Sequence, residues 1–272
     1  GLLSEGLGTN PLSYAMFDAV RKGRTFDVPS IIREFTGGRY GKVLAAAEES
    51  WAALVKEGGV LAVPQRQEGT LENALCAFPC GKVEKVSEWG PAGGLYYDPE
   101  AVRRAAQNYI EIAKKDPSLL ENANFRFDLT DLARQVLADK ARTVPCRRDA
   151  LEPLIDATER LLACTDEFRL DVQERGRDAP RFRRMITTWV ASSKPHLLND
   201  YAHRNYAGLF KDFYRVRWEA FFDLQEGRID KKEFARRIEE LYRAFPAKTL
   251  DPTPKGDLLD CASTAVELGI RN

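Results

Sequence analysis

The chain has 272 residues, of which 44% are hydrophobic and 30% charged; that supports a sizeable core and excludes wholesale disorder. Lys and Arg total 41 and Asp and Glu total 41, and a zero net charge argues against a dedicated nucleic-acid binder. No apolar run approaches the roughly 20 residues that span a bilayer. The five Cys and two His lack the two tight pairs of a structural zinc site, so no metal is expected. Cys76 and Cys80 alone lie close together, as buried free thiols or a local bridge.

The chain starts at Gly1 without a Met and is read as a processed chain or an excerpt. Leu2 and Leu3 look like the end of a buried strand, and a polar turn, Ser4 to Thr9, follows. Asn10-Pro11 then starts a helix with Leu12, Ala15, Met16, Ala19 and Val20 on its apolar face. One strand cannot pair with itself, so this unit implies a sheet or barrel upstream. Beyond Asp27 nearly all the signal is helical. Pro29 starts a short helix that Gly37-Gly38 should end. Another runs over 43–56. Residues 57–98 are rich in Gly and Pro and read as loop, with short strands expected at Val60–Val63 and Tyr96–Tyr97.

Five longer helices are expected after that. The first covers 100–115; Asp128 should cap the second, through Leu129, Leu132, Val136 and Leu137. The remaining three cover 149–175, 203–225 and 231–245, and Asp230 with Glu233 forms a capping-box-like start for the last. Each carries an i, i+3/i+4, i+7 stripe wide enough for a bundle.

Several motifs fail on inspection. Gly37-Gly38-Arg39-Tyr40-Gly41-Lys42 lacks the first Gly and the final Ser or Thr of a phosphate loop. Glu226 to Glu233 resembles the back half of a calcium loop, but Phe222 and Leu224 stand where side-chain oxygens are needed. His196 and His203 have no partner acid or nucleophile nearby in sequence. Arg181, Arg183 and Arg184 sit near Asp171, Glu174 and Asp178, which fits a solvated or paired surface. Glu5 is different. It follows a strand end and precedes a Gly turn into a helix, the position at which strand–helix barrels place catalytic side chains.

The stretch Glu5-Gly6-Leu7-Gly8-Thr9-Asn10-Pro11-Leu12-Ser13-Tyr14 resembles the Glu-Gly-(x3)-Asn-Pro-x-x-Tyr signature of the alpha-N-acetylglucosaminidases, glycoside hydrolase family 89. The likeness continues in order through Gly38-Arg39-Tyr40-Gly41, Phe125 to Gln135, Asn199-Asp200-Tyr201-Ala202, Ala207-Gly208-Leu209, Asp212-Phe213-Tyr214 and Arg217-Trp218. It implies an all-α, multi-helix C-terminal domain over residues 27–272, preceded over 1–26 by the last strand-end and helix of a truncated (β/α)8 barrel. It further implies a retaining exo-glycosidase acting by double displacement on terminal α-linked N-acetylglucosamine, in glycans such as heparan sulfate. Glu5 maps to the nucleophile, and the acid/base Glu belongs to the missing barrel. Two carboxyls suffice for this chemistry, so no cofactor is implied, and this chain alone should be inactive.

Trp189 ends the stripe Phe182, Met185, Ile186, Trp189, which by itself reads as core. By resemblance it matches a Trp set against the active-site pocket, and Leu198 matches an apolar position nearby. This sequence departs from the family at Val190, usually Gly, at Ser4, often Met or Pro, and in a longer segment from Trp189 to Asp200. Those departures bear on pocket shape rather than reaction type. The implied partners are a glycan substrate and the upstream barrel, with no nucleic acid and no membrane span; family members are lysosomal, secreted or periplasmic. The alternative is a non-catalytic helical scaffold or glycan-binding module.

Overall fold

Helices form where an apolar stripe meets a residue able to cap free N–H groups. The computed structural model describes residues 11–25, 27–56, 59, 61, 73–79, 95, 97–187 and 204–270. Among these the architecture is all-α, with a single isolated parallel bridge, Arg169 to Ala207, and no sheet. The expected strands at Leu2–Leu3 and most of Val60–Val63 lie outside the described residues, as do Tyr96, Asn10 and both His.

Helix α1 (Pro11–Arg21) begins at its Pro, as expected. It buries Leu12 and Ala19, but Val20 is exposed together with Tyr14 and Phe17. Helix α2 (Val28–Tyr40) is capped by Asp27, whose Oδ1 accepts the Ser30 N–H at 2.8 Å. It does not stop at Gly37-Gly38. Two glycines cost a helix about 2 kcal/mol, yet Arg39 and Tyr40 in the next half-turn gain buried partners that offset it. Gly41 ends the helix instead, at φ 73°, with its N–H on the Gly37 carbonyl at 2.9 Å. Lys42 pairs with Asp116 at the surface.

Helices α3 (Ala45–Val55) and α4 (Pro99–Lys115) match expectation, and Asp98 caps α4 through the Glu100 N–H at 2.9 Å. Helix α5 (Ala123–Thr143) does not. It starts five residues before Asp128, because Asn122 is the cap: its Oδ1 accepts the Phe125 N–H at 3.0 Å. The Asn122 Nδ2 also donates to the Arg39 carbonyl at 3.0 Å, joining the end of α2 to the start of α5.

Asp128 is therefore mid-helix and 3% exposed. Arg39 grips its carboxylate with two hydrogen bonds of 2.8 Å, and the Tyr40 hydroxyl donates to it at 2.7 Å. With Tyr40 so engaged, Tyr109 donates to the Tyr40 oxygen at 2.5 Å, and Trp51 donates to Tyr109 at 2.7 Å. Four helices (α2, α3, α4 and α5) are thus joined by one chain of hydrogen bonds that ends on the Asp128 carboxylate.

Helix α6 (Arg148–Ala163) is shorter than the stripe over 149–175 suggests. Arg169 donates to the Ala163 carbonyl at 3.1 Å and Arg126 to the Cys164 carbonyl, so side chains satisfy the helix end and the chain turns. After the short α7 (Leu170–Gln173) and α8 (Ala179–Thr187), a π-turn at Phe210–Tyr214 leads into α9 (Arg215–Gln225). Helix α10 (Lys231–Ala244) is capped by Asp230 through the Glu233 N–H at 2.7 Å, while the Glu233 carboxylate turns to Arg236 and Arg237. Helix α11 (Leu258–Ile270), which the stripe analysis omits, packs on α4, α5 and α6.

Every residue of α5 from Asp128 to Asp139 is buried, including Asp131, Arg134 and Gln135. Asp131 pairs with Arg134, and Asp139 accepts from the Tyr97 hydroxyl at 2.5 Å and the Gln135 amide at 2.9 Å. Burial pushes Asp128 up to about 6 against the opposing pull of Arg39. Burial likewise pushes Asp139 up to about 6 against its hydrogen bonds.

Two outcomes are expected. Arg39→Ala leaves the Asp128 carboxylate buried without its counter-ion, and urea unfolding should show a loss of about 3 kcal/mol. Asp128 and Asp139 hold protons more tightly folded than unfolded, so they stabilise the fold most below 3.8, and that contribution is lost as the pH rises through about 6. Thermal unfolding should therefore shift upward by roughly a few degrees between pH 7 and pH 5, and Asp139→Asn should flatten that rise; an unchanged profile in the variant would refute the assignment.

Candidate functional site

Glu5, Trp189 and Leu198 lie outside the described residues. The structure describes the supports on both sides of the segment that holds Trp189 and Leu198. On the entering side is α8, whose buried Phe182 and Ile186 face the core; Met185 of the expected stripe is 57% exposed. Arg183 fixes this helix. Its guanidinium meets Glu174 at 2.5 and 2.6 Å and donates to the Lys248 carbonyl. The basic cluster is thus partly buried and paired. Thr187, the last described residue before the segment, is buried and donates to the Arg183 carbonyl at 2.8 Å.

On the leaving side the chain is pinned residue by residue. The Tyr214 hydroxyl accepts the Arg204 N–H at 3.2 Å and donates to the Arg204 carbonyl at 3.1 Å. Asn205 Oδ1 accepts from Asn73 at 3.0 Å. Ala207 bridges to the strand-like backbone beside Arg169, its N–H on the Phe168 carbonyl at 2.8 Å and its own carbonyl accepting from Leu170 at 3.0 Å. This bridge displaces the helix start from 203 to Leu209. Gly208 then adopts φ +96°, which strains any residue with a side chain, and a Cβ there would press on Leu170 at 3.2 Å.

Glu159 of α6 closes the arrangement. It is 5% exposed, and its two oxygens accept the Gly208 N–H at 2.8 and 2.9 Å and the Lys211 N–H at 3.0 Å. The Thr253 hydroxyl also donates to it. A carboxylate from another helix therefore caps the start of the π-turn, where the helix dipole favours negative charge. Burial raises the Glu159 carboxyl above its ordinary range, and the Thr253 and backbone bonds oppose that rise.

Arg217 and Trp218 carry the same logic to residues 73–79. Arg217, wholly buried, donates to the Cys76 carbonyl at 2.5 Å, the Ala77 carbonyl at 3.1 Å and the Tyr242 hydroxyl at 3.0 Å. Its guanidinium also stands 5.1 Å from the rings of Phe213 and Tyr214. Trp218 donates to the Leu75 carbonyl at 2.8 Å. Sequence reasoning missed Glu159, Asn73 and Asn205 as supports. Glu159 did carry a signal: it sits four residues after Ile155, a charge on the apolar face of α6.

No helix among the described residues is long and apolar enough to cross a membrane. No group of three His, Cys, Asp or Glu among them could hold a metal ion.

Comparison with known proteins matches this frame. The profile of the alpha-N-acetylglucosaminidase (NAGLU) C-terminal domain matches residues 32–150 and 143–267. The human alpha-N-acetylglucosaminidase is 23% identical, over 96% of this chain and 38% of its own length. Two structures of a family 89 glycoside hydrolase from Clostridium perfringens share the fold. One, in complex with its substrate GlcNAc-alpha-1,4-galactose, aligns at TM-score 0.74 and 19% identity, over 95% of this chain and 33% of that one. The other, in complex with 2-acetamido-1,2-dideoxynojirmycin, aligns at TM-score 0.73 and 20% identity with the same coverage. The chain thus spans between a third and two-fifths of the length of these relatives.

Glu159→Gln replaces an acceptor oxygen with a donor facing backbone N–H groups. It should cost about 1–3 kcal/mol and speed hydrogen exchange at Gly208 and Lys211 selectively, as read by exchange mass spectrometry.

Proposed function

This chain belongs to the alpha-N-acetylglucosaminidase C-terminal domain family, and from that premise we propose that it is the C-terminal part of a retaining exo-α-N-acetylglucosaminidase. The observation that carries the reading is the agreement of family profile and fold along nearly the whole chain. Residues 1–26 are assigned to the end of a (β/α)8 barrel and 27–272 to the helical domain. The exposed apolar face of α1, Tyr14, Phe17 and Val20, suits a helix that another domain covers.

In this reading Glu5 attacks the anomeric carbon of a terminal α-linked N-acetylglucosamine, such as that of heparan sulfate. A protonated carboxyl on the barrel, about 5–5.5 Å from Glu5, donates to the leaving oxygen. The same carboxyl, now ionised, then takes a proton from the water that hydrolyses the glycosyl–Glu5 ester, so the sugar leaves with its configuration retained. The flat face of Trp189 and the side chain of Leu198 wall the pocket. The anchored residues on either side of 188–203, Arg183 with Glu174 and Glu159 with Gly208, support this reading.

The test is hydrolysis of an aryl α-N-acetylglucosaminide by the full parent polypeptide. Glu5→Ala should lower turnover at least about a thousandfold, and azide should restore part of it while releasing a glycosyl azide. Unchanged turnover would remove Glu5 from the mechanism. The 272-residue chain alone, with one of the two carboxyls, should be inactive; inactivity of the parent polypeptide as well would favour a glycan-binding or scaffold module.

A further inference from the structure

Cys164 and Cys261 approach each other from different helices. Cys164 is the residue that ends α6 and is 1% exposed. Cys261 lies in the first turn of α11, half-buried, with its N–H on the Asp257 carbonyl at 3.0 Å. Both sulfurs crowd one face of Gly256: a Cβ there would stand 3.2 Å from the Cys261 Sγ and 3.6 Å from the Cys164 Sγ. Each thiol shifts the other's acidity. Cys164 Sγ also lies 3.3 Å from the Arg160 carbonyl, and the Arg126 guanidinium binds the Cys164 carbonyl.

We propose that Cys164 and Cys261 form a redox-responsive pair that closes to a disulfide, stapling the end of α6 to the first turn of α11, with a low-molecular-weight disulfide as the oxidant.

The two sulfurs have unequal roles. The neighbouring Cys164 thiol, aided by the Arg160 charge and opposed by burial, Asp257 and Asp260, lowers Cys261 below the usual thiol range. The same contact and burial raise Cys164. Cys261 is half-buried whereas Cys164 is 1% exposed, so Cys261 is the attacking thiolate, the form that acts as nucleophile. It also borders a surface depression lined by Ala157, Arg160, Asp260 and Thr264, through which an oxidant reaches it. Its sulfur attacks the oxidant's S–S bond, forming a mixed disulfide and releasing one thiolate. Cys164 then loses its proton and attacks the Cys261 sulfur, releasing the second thiolate. Two electrons pass to the oxidant, and its two thiolates take up the two protons.

The bridge encloses a loop of roughly 100 residues. That loop contains α7 to α10, Trp189 and Leu198, and it tethers α11 into the groove formed by α4, α5 and α6.

The test uses the full parent polypeptide treated with oxidised glutathione, quenched in acid and mapped by trypsin without reduction. Peptide 161–169 should appear covalently joined to peptide 256–271, and dithiothreitol should release both. Thermal unfolding of the oxidised form should lie several degrees above the reduced form, and Cys261→Ser should abolish the shift. Cys164→Ser should instead retain glutathione on Cys261. The proposal is overturned if both cysteines remain open to alkylation after oxidation, if wild-type Cys261 keeps glutathione without closing, or if either joins another cysteine. The wild-type peptide map decides the matter even where a variant fails to fold.

Discussion

A helix buried on all sides cannot carry charge unless its neighbours answer each charge, and α5 is such a helix. From Asp128 to Asp139 it offers solvent no face, yet it holds three carboxyls, a guanidinium and an amide. Each therefore recruits a partner: Arg39 and Tyr40 on α2 for Asp128, Tyr97 just before α4 for Asp139, and one another within α5 for Asp131, Arg134 and Gln135. Desolvation makes each such contact costly to break and hard to substitute. The position of α2, α3 and α4 around α5 follows from satisfying those groups as much as from apolar packing.

The second half of the chain applies the same constraint to backbone rather than to side chains. Residues 204–211 and 73–79 contain little regular structure, so their N–H and carbonyl groups need outside partners. Glu159 supplies acceptors to the first, and Arg217 and Trp218 supply donors to the second. Several of the motif blocks picked out in the sequence coincide with these anchors. Gly38 to Gly41 meets Phe125 to Gln135 at Asp128; Ala207 to Leu209 meets Glu159; Arg217-Trp218 meets residues 75–77. Their shared chemistry is the pairing of a buried charge or donor with a distant partner.

Helices with one apolar face were legible in the sequence. The stripes of α3, α4 and α10 face a single direction, and Asp230 caps α10 as its position predicts. Where a partner distant in sequence decides the outcome, local signals mislead. Asp128 looked like a cap because a buried Asp and a capping Asp are the same letter; its distant partner Arg39 distinguishes them. Gly37-Gly38 looked like a stop because propensity counts only local cost, whereas Arg39 and Tyr40 draw their gain from α5. The stripe over 149–175 continued past the end of α6 because apolar spacing is blind to guanidinium groups that terminate a helix.

The sequence by itself determined the helical class, most helix positions and, through ordered motif blocks, the family. Those properties depend on local periodicity and residue identity, which a one-dimensional string contains. Only the tertiary structure decided which charges are buried, which helix ends are closed by distant side chains, and that Cys164 and Cys261 share one face of Gly256. These properties join residues far apart in the chain, and the energy of a buried charge or an unmet backbone group depends on its neighbours in space rather than in sequence.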